Sequence, residues 1–590
     1  RTPNIDALAA KGMLFKRAWS NHPVCAPART VIASGLYGWT SGGINMRSMV
    51  PIPAGKKLYP QFLREAGYYT TNNSKEDYNI SKPAGTWDTS SGQAHWKNRP
   101  GSQPFFAVFN STKSHESQLR TRPHKQITRP ADVRVPAYHP DTPVVRQDWA
   151  QYYDKVSEAD ADAGARLKEL AEAGLTENTI VFYYGDHGSG MPRSKRWPSN
   201  SGLHVPMVVY FPEKYRHLAP KEYQPGGKSD RMVSFVDLAP TVLSIAGVKP
   251  PEWMEGHAFA GPHQTGPQPY LFGGRNRMDE RIDLVRSVTD GRYVYLRNFY
   301  PHVSQAQRVA FQFETPTTAQ WFQLYTEGKT NEAQSIFWRT PKAPEELYDL
   351  QSDRDEVKNL AASPEHRAVL EKLRGAVREQ AAKSRDVGFL PEGGMHLRAE
   401  GSTPYDMARD EKKYAFAKIY AAADLASQLD PAALPQLQKL ATDSDNAIRY
   451  WAALGFLMRG KAGVAAGAPA LRQALNDASP YVRIVAAEAL ARYGAETDLA
   501  PSLAVLGALA PWEKNDVFIS MAALSAIEAV GAKAAPLHEL VRTMKPTGPT
   551  PDDRFDSYIP RLMANIAPAP KGEGVPAKKN RNKKKAGDKE

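Results

Sequence analysis

Over roughly the first 265 residues, apolar positions recur with two different periods. Spacings of three and four predict helices over residues 4–12, 58–67 and 147–173, and Gly12 and Gly174 are placed to end the first and last of them. Between the helices lie short apolar or β-branched runs at 68–71, 104–109, 179–184 and 206–211, each of strand length. Runs that are apolar on both faces and alternate with helices imply an α/β fold, with a mostly parallel sheet covered by helices on both faces. From about residue 268 the texture changes. Runs at 284–288 and 292–297 meet through Asp290-Gly291 as a hairpin, and a helix follows over about 364–383, which together make a small α+β piece.

Beyond residue 401 the chain becomes rich in Ala and Leu and repeats itself. Residues 437–460 align without gaps to 471–494, an offset of 34, with Asp443/Asp477, Arg449/Arg483, Ala452/Ala486 and Ala453/Ala487 coinciding. A weaker third copy places Ala522, Ala523, Leu524 and Gly531 in the same relation. Paired amphipathic helices at this period resemble a HEAT-type α-solenoid. The expected organisation is therefore an α/β domain over 1–265, a smaller subdomain over 266–400, helical repeats over 401–570 and a tail over 571–590.

Composition narrows the chemistry. With 41% hydrophobic and 24% charged residues, the chain is not disordered as a whole. A single cysteine, Cys25, excludes an internal disulfide framework and a Cys-based zinc site. No run approaches about 18 uncharged apolar residues, so no membrane span is expected. The formal charge is +13, of which residues 571–590 carry +5 through eight Lys/Arg and three Asp/Glu. That run reads as a solvated, disordered tail. No motif for specific nucleic-acid recognition accompanies it. The sequence opens on Arg1-Thr2-Pro3 without a signal-peptide pattern, and is read as beginning within a domain, with a periplasmic or extracellular location expected.

The strongest chemical signal is Asn21-His22-Pro23-Val24-Cys25-Ala26-Pro27-Ala28-Arg29. Pro27 suits the first position of a helix, which would put Cys25 just before a helix N-terminus, where free N–H groups and the dipole favour an anion. Arg29, one turn on, is a planar donor suited to an anionic oxygen cluster. From the residues alone, a buried structural thiol is equally open. With Gly35-Leu36-Tyr37, the C-x-P-x-R pentapeptide resembles the signature of the formylglycine-dependent sulfatases of the alkaline-phosphatase superfamily, in which the cysteine is oxidised to formylglycine by a formylglycine-generating enzyme and its hydrate is the nucleophile.

The resemblance extends through further segments in order. Gly185-Asp186-His187-Gly188 follows an apolar strand, where ligand sites of open α/β sheets lie. There the resemblance implies calcium ligands, Asp186 with His187, beside modified Cys25. Calcium prefers oxygen donors, so Asp186 suits it better than the imidazole. Lys195, with Arg193 as its competitor, matches a sulfate-contacting lysine. Lys75 matches another, and the histidine expected two residues later is Asp77, a departure that leaves Asp77 as a substrate-side residue of uncertain role. His115 matches a histidine near the leaving group, and Glu345-Glu346-Leu347-Tyr348-Asp349-Leu350 with Asp353 and Asn359-Leu360 matches a C-terminal subdomain marker. Arg275, Arg277 and Arg281 are candidates for a sugar pocket. The resemblance also implies an Asp-Asp pair on a first, central strand ahead of residue 2, which this sequence does not contain, so weak metal binding and weak activity are expected of it. The function implied is hydrolysis of sulfate esters, or sulfamates, of sulfated glycans. The alternatives are a phosphonate or phosphate ester hydrolase of the same superfamily, and a non-catalytic protein that binds sulfated glycans.

Overall fold

The computed structural model describes residues 1–568, so the basic tail lies outside the described residues. The catalytic part holds seven strands: β1 (Met13–Trp19), β2 (Tyr69–Asn73), β3 (Thr89–Ser90), β4 (Phe105–Phe109), β5 (Val181–Tyr184), β6 (His204–Tyr210) and β7 (Gly227–Ser234). They form two sheets, ordered β5-β6-β1-β7 and β3-β2-β4. The second sheet is parallel throughout. In the first, β6 is antiparallel to both β5 and β1, whereas β7 is parallel to β1. The expected parallel order therefore has one reversed member. Because β6 alone is reversed there, β1, β5 and β7 point the same way and deliver the residues that follow them to one edge.

Strand β6 shows how the sheet is buried on both sides. Val205, Met207 and Val209 pack into one apolar cluster with Ala28 and Val31 of the helix Cys25–Ser34. The alternate residues Val208 and Tyr210 pack with Ile5, Leu8 and Leu167 of the helices Pro3–Lys11 and Pro143–Glu172. The two-residue period of a strand thus feeds two cores. Strand β1 was not predicted. Its pairing shifts register between Phe15 and Ala18, and this bulge lets Ala18 join Met13 and Phe15 in one cluster while Lys16 and Arg17 reach Asp230 at 2.9 and 3.4 Å. A bulge breaks the alternation from which strands are read.

The two sheets do not join. Strand β4 pairs only with β2, and β5 only with β6. Their other edges face a cavity of about 550 Å³, lined by Phe105–Phe109 and Ile180–Tyr184 and ending at Arg29, Lys75, Asn110 and Asp186.

The remaining strands, β8 (Leu271–Arg275), β9 (Val285–Thr289), β10 (Tyr293–Asn298) and β11 (Glu345–Asp349), form an antiparallel sheet in the order β11-β10-β9-β8. The expected hairpin is β9–β10, turned at Gly291 with φ +91° and capped by Asp290, whose carboxylate accepts from the N–H groups of Arg292 and Tyr293. After Gly401 every element among the described residues is helical. The helices Phe416–Ser427, Asn446–Met458, Pro480–Tyr493 and Val517–Val530 pack in succession. Arg449 of one repeat forms a bidentate pair with Asp477 of the next, at 2.7 and 2.8 Å. The segment Val517–Thr543 is, by length and composition alone, apolar enough to cross a membrane. In the fold it is broken at Gly531, and Met521, Leu524 and Ile527 belong to a buried core.

Candidate active site

The edge where β1, β2, β4 and β5 end carries the chemistry. Beyond β1, Asn21 fixes the loop by donating to Ser234 Oγ at 2.8 Å and accepting from Val236 N at 3.0 Å. His22 is bonded to the carbonyl of Gly274 at 2.8 Å. Burial lowers its pKa to about 3, so it is neutral. The helix then begins at Cys25 itself. Pro27 is its third residue and not its first, which costs nothing because the first helical N–H groups have no partner within the helix. Cys25 is 5% exposed.

Three cationic or protic groups converge on this thiol, His187, Lys195 and Lys75. His187 Nε2 lies 3.3 Å from Sγ and Lys195 Nζ 3.8 Å from it. Burial and the Asp186 carboxylate push the thiol pKa up, but Lys195, His187 and Lys75 outweigh them and hold it well below its ordinary value. Arg29 donates from Nε to Asp186 at 3.0 Å, and from Nη1 to Asn110 Oδ1 at 2.6 Å and to the carbonyl of Lys75 at 3.2 Å. Asp186 is ionised: burial opposes this, and Arg29, His187, Lys75 and Lys195 overcome it.

Two crossing loops set Lys195 and Asp186 in place. Gly188 N donates to Gly202 O at 2.9 Å; a Cβ on Gly188 would come within 2.0 Å of Ser201 O across the crossing, and one on Gly202 within 2.0 Å of Trp197 O in its own loop. Only glycine permits that approach. Lys195 Nζ lies 3.0 Å from Glu116 Oε1 and 3.3 Å from His115 Nε2. Arg196 holds Glu116 bidentately at 2.8 and 3.0 Å. Against the cost of its burial, Arg196 and Lys195 keep Glu116 ionised. Burial, with the neighbouring ammonium of Lys195, lowers the pKa of His115 despite the thiol nearby. Lys75 Nζ stands 3.7 Å from Asp77.

Cys25, Asp186 and His187 offer ligand atoms that all lie within 4.8 Å of one another. This set does not fit calcium on its own. Calcium takes six to eight oxygens, whereas here one carboxylate faces an imidazole and a sulfur, and Arg29 already occupies one of its oxygens.

The structure thus brings Cys25, Arg29, Lys75, His115, Asp186, His187 and Lys195 together, with Asp77 beside them. It does not bring Arg193 or Arg275. Arg193 is buried, donates to the carbonyls of Asp355 and Glu356 at 3.0 and 2.7 Å, and lies over the Tyr138 ring. Arg275 donates to the carbonyl of Arg196 at 2.8 Å beneath Trp197. Arg277 and Arg281 are committed to Glu392 and Glu528. All four of these arginines are committed to partners that pin loops. Asn110 and Glu116 were missed. Asn110 follows an apolar strand directly, as Asp186 nearly does, and that position was its signal. Glu116 carried none beyond its place next to His115.

The sequence profile of the Sulfatase family matches residues 1–248. An ulvan-active sulfatase of Formosa agariphila is 36% identical over 443 residues, covering 67% of this chain and 73% of that protein. Human N-sulphoglucosamine sulphohydrolase is 25% identical over 434 residues, covering 63% and 84%. A solved phosphonate monoester hydrolase from Silicibacter pomeroyi aligns with TM-score 0.48 and 16% identity, covering 66% of this chain and 92% of that one. The likeness to the Formosa enzyme, together with a family match over the residues that carry the cation-ringed thiol site, shows that the chain belongs to the sulfatase family and is a sulfuric ester hydrolase.

Proposed function

We propose that the enzyme removes sulfate from sulfated glycans, with Cys25 matured to formylglycine as the nucleophile. The observation that carries this reading is the buried Cys25 at a helix N-terminus, faced by His187 at 3.3 Å and Lys195 at 3.8 Å. The names of the Formosa and human relatives support a glycan or amino-sugar substrate.

Formylglycine would supply an oxygen nucleophile in place of the thiol; the rest falls to the chain's own side chains. Lys195, Lys75 and Arg29 surround the place of the sulfate and stabilise charge on its non-bridging oxygens. The helix N-terminus adds unpaired N–H groups there. His115, which matches a histidine near the leaving group, is the first candidate for proton donor to the leaving alcohol. Its lowered pKa makes it neutral at rest, so the proton-bearing partner of the pair is Lys195, and His115 relays or accepts a proton next to it.

For calcium, the slot between β4 and β5 supports a completing strand. It has two unpaired strand edges, apolar walls and the Asp186 cluster at one end, the place in which an Asp-Asp-bearing central strand would add the missing oxygens. The helical region is read as a HEAT-type stack, supported by the Arg449–Asp477 pair between successive repeats.

The test is co-expression with a formylglycine-generating enzyme, then mass spectrometry of the Cys25 peptide and turnover of an aryl sulfate beside an aryl phosphate. Exchange of the sulfur for oxygen with loss of two hydrogens, and preference for the sulfate, are expected. An unmodified thiol, or preference for the phosphate, overturns the reading.

A further inference from the structure

The cations around the mouth of the site are paired, with one exception. Among the described residues, Arg29 meets Asp186, Lys75 meets Asp77, Lys195 meets Glu116, and Arg196 meets Glu116 and Asp279. The far wall comes from the helical region, where Arg554 pairs with Asp77 across the mouth and with Asp552 beside it. Arg47 forms no ion pair with any of them. Its Nε and Nη1 are buried without a hydrogen-bond partner, a state that costs free energy unless a ligand completes it.

The backbone of Arg47 is also held for a purpose. It has φ +62°, and its N–H donates to Asn79 Oδ1 at 2.7 Å. Of the ten non-glycine residues with positive φ, Arg47, Asp77, Arg196 and Asp279 all belong to this rim. Such conformations are costly and collect where side-chain direction matters more than local comfort. The Arg47 charge is felt by Asp279 on the catalytic side and by Asp552 on the helical side, so the guanidinium stands between the two walls.

We propose that Arg47 is the centre of a second anion subsite. With Arg554 as its outer wall, it takes an anionic group, carboxylate or sulfate, on the sugar next to the one that carries the scissile sulfate. The helical region thereby helps to select the substrate. This rests on the reading of the substrate as a sulfated glycan. The chemistry matches, because guanidinium binds planar or tetrahedral oxyanions through paired N–H donors, and Nε with Nη1 is one such pair of donors.

The experiment uses the full chain with Cys25→Ala, which stops turnover, and measures Kd by calorimetry. Three ligands are compared: a monosulfated disaccharide with a carboxylate on the neighbouring sugar, its carboxyl-reduced counterpart, and one with a second sulfate in place of the carboxylate. Either second anion is expected to tighten binding about 10- to 100-fold, and the stronger of the two names the group. Arg47→Asn, chosen because Asn tolerates positive φ, is expected to remove that gain while leaving the affinity for the carboxyl-reduced ligand and the thermal midpoint unchanged. Arg47→Lys should restore part of it. Equal binding of all three ligands, or an equal loss for all three in Arg47→Asn, overturns the subsite. Binding of none of them counts against the glycan reading itself, on which the subsite depends.

Discussion

At the residue scale, the chemistry is organised by Lys195. It is almost fully buried, yet the Cys25 and Glu116 charges outweigh its desolvation and raise its pKa. Lys195→Ala is therefore expected to have two separable effects. In the unmodified chain the Cys25 thiol should titrate at higher pH, because Lys195 contributes most to lowering it; thiolate absorbance against pH reads this without turnover. On the proposed maturation of Cys25 and the proposed place of Lys195 beside the sulfate, kcat should fall about 10²- to 10³-fold, the usual cost of one oxyanion donor. Glu116 keeps both bonds to Arg196, so folding should survive. An unmoved thiol titration would show that Lys195 is a structural partner of Glu116 alone. Cys25 and Asp186 were legible in the sequence because each sits at the boundary of a regular element. The choice between Arg193 and Lys195 was settled only by the turns of an irregular loop, in which Arg193 and Arg196 both adopt positive φ. Asp77 was legible as a departure from the family pattern, but its partner Arg554 lies 477 residues away and nothing local announced it.

At the scale of elements, β4 and β5, two of the strands that end at the site, were readable as continuous apolar runs, and the long helix Pro143–Glu172 by its period. Direction and pairing were not, since periodicity is the same for a strand run either way. Strand β6 is reversed, and β1 is interrupted by a bulge. One capping carboxylate carries a testable consequence. Asp237, next to the helix Leu238–Ile245, accepts from Ser234 N at 2.9 Å and His257 N at 2.8 Å. Burial raises its pKa to about 6 against an ordinary 3.8, despite those two bonds. Between these values the folded chain holds a proton that the unfolded chain releases. The contribution is thus fully present below pH 4 and is lost as pH rises through about 6, worth roughly 3 kcal/mol at 1.36 kcal/mol per unit. Asp237→Asn cannot titrate and should be less stable than wild type at pH 4 by more than at pH 7. Chemical denaturation at both values checks this, and parallel losses would show that the fold does not raise the pKa of this carboxyl.

At the scale of the molecule, the change of texture near residue 401 marks a change of secondary structure and not a seam in the core. One apolar cluster contains Leu284, Phe299 and Phe389 from before that point with Ile419, Trp451 and Leu454 from beyond it. Polar contacts cross with it: Trp451 Nε1 donates to Phe389 O at 2.9 Å, Tyr300 and Tyr450 hydroxyls meet at 2.7 Å, and Arg297 pairs with Asp424 at 2.9 Å. Composition could show that the last third is helical but not that it is fused to the catalytic part, because fusion is a matter of which faces meet. A chain ended at residue 400 would expose Phe299, Phe389 and Leu390, and leave Arg281 and Arg297 without their carboxylates. Large-to-small changes at single core sites of this kind cost about 2–5 kcal/mol, and the truncation removes many neighbours at once from a fold whose whole margin is about 5–15 kcal/mol. Residues 1–400 are accordingly expected to be insoluble or to unfold without a cooperative transition, whereas residues 1–568 melt as one unit in calorimetry. Cooperative melting of 1–400 within a few degrees of the longer chain would instead make the helical region a detachable module, and the contacts at Phe389 and Tyr300 incidental to stability.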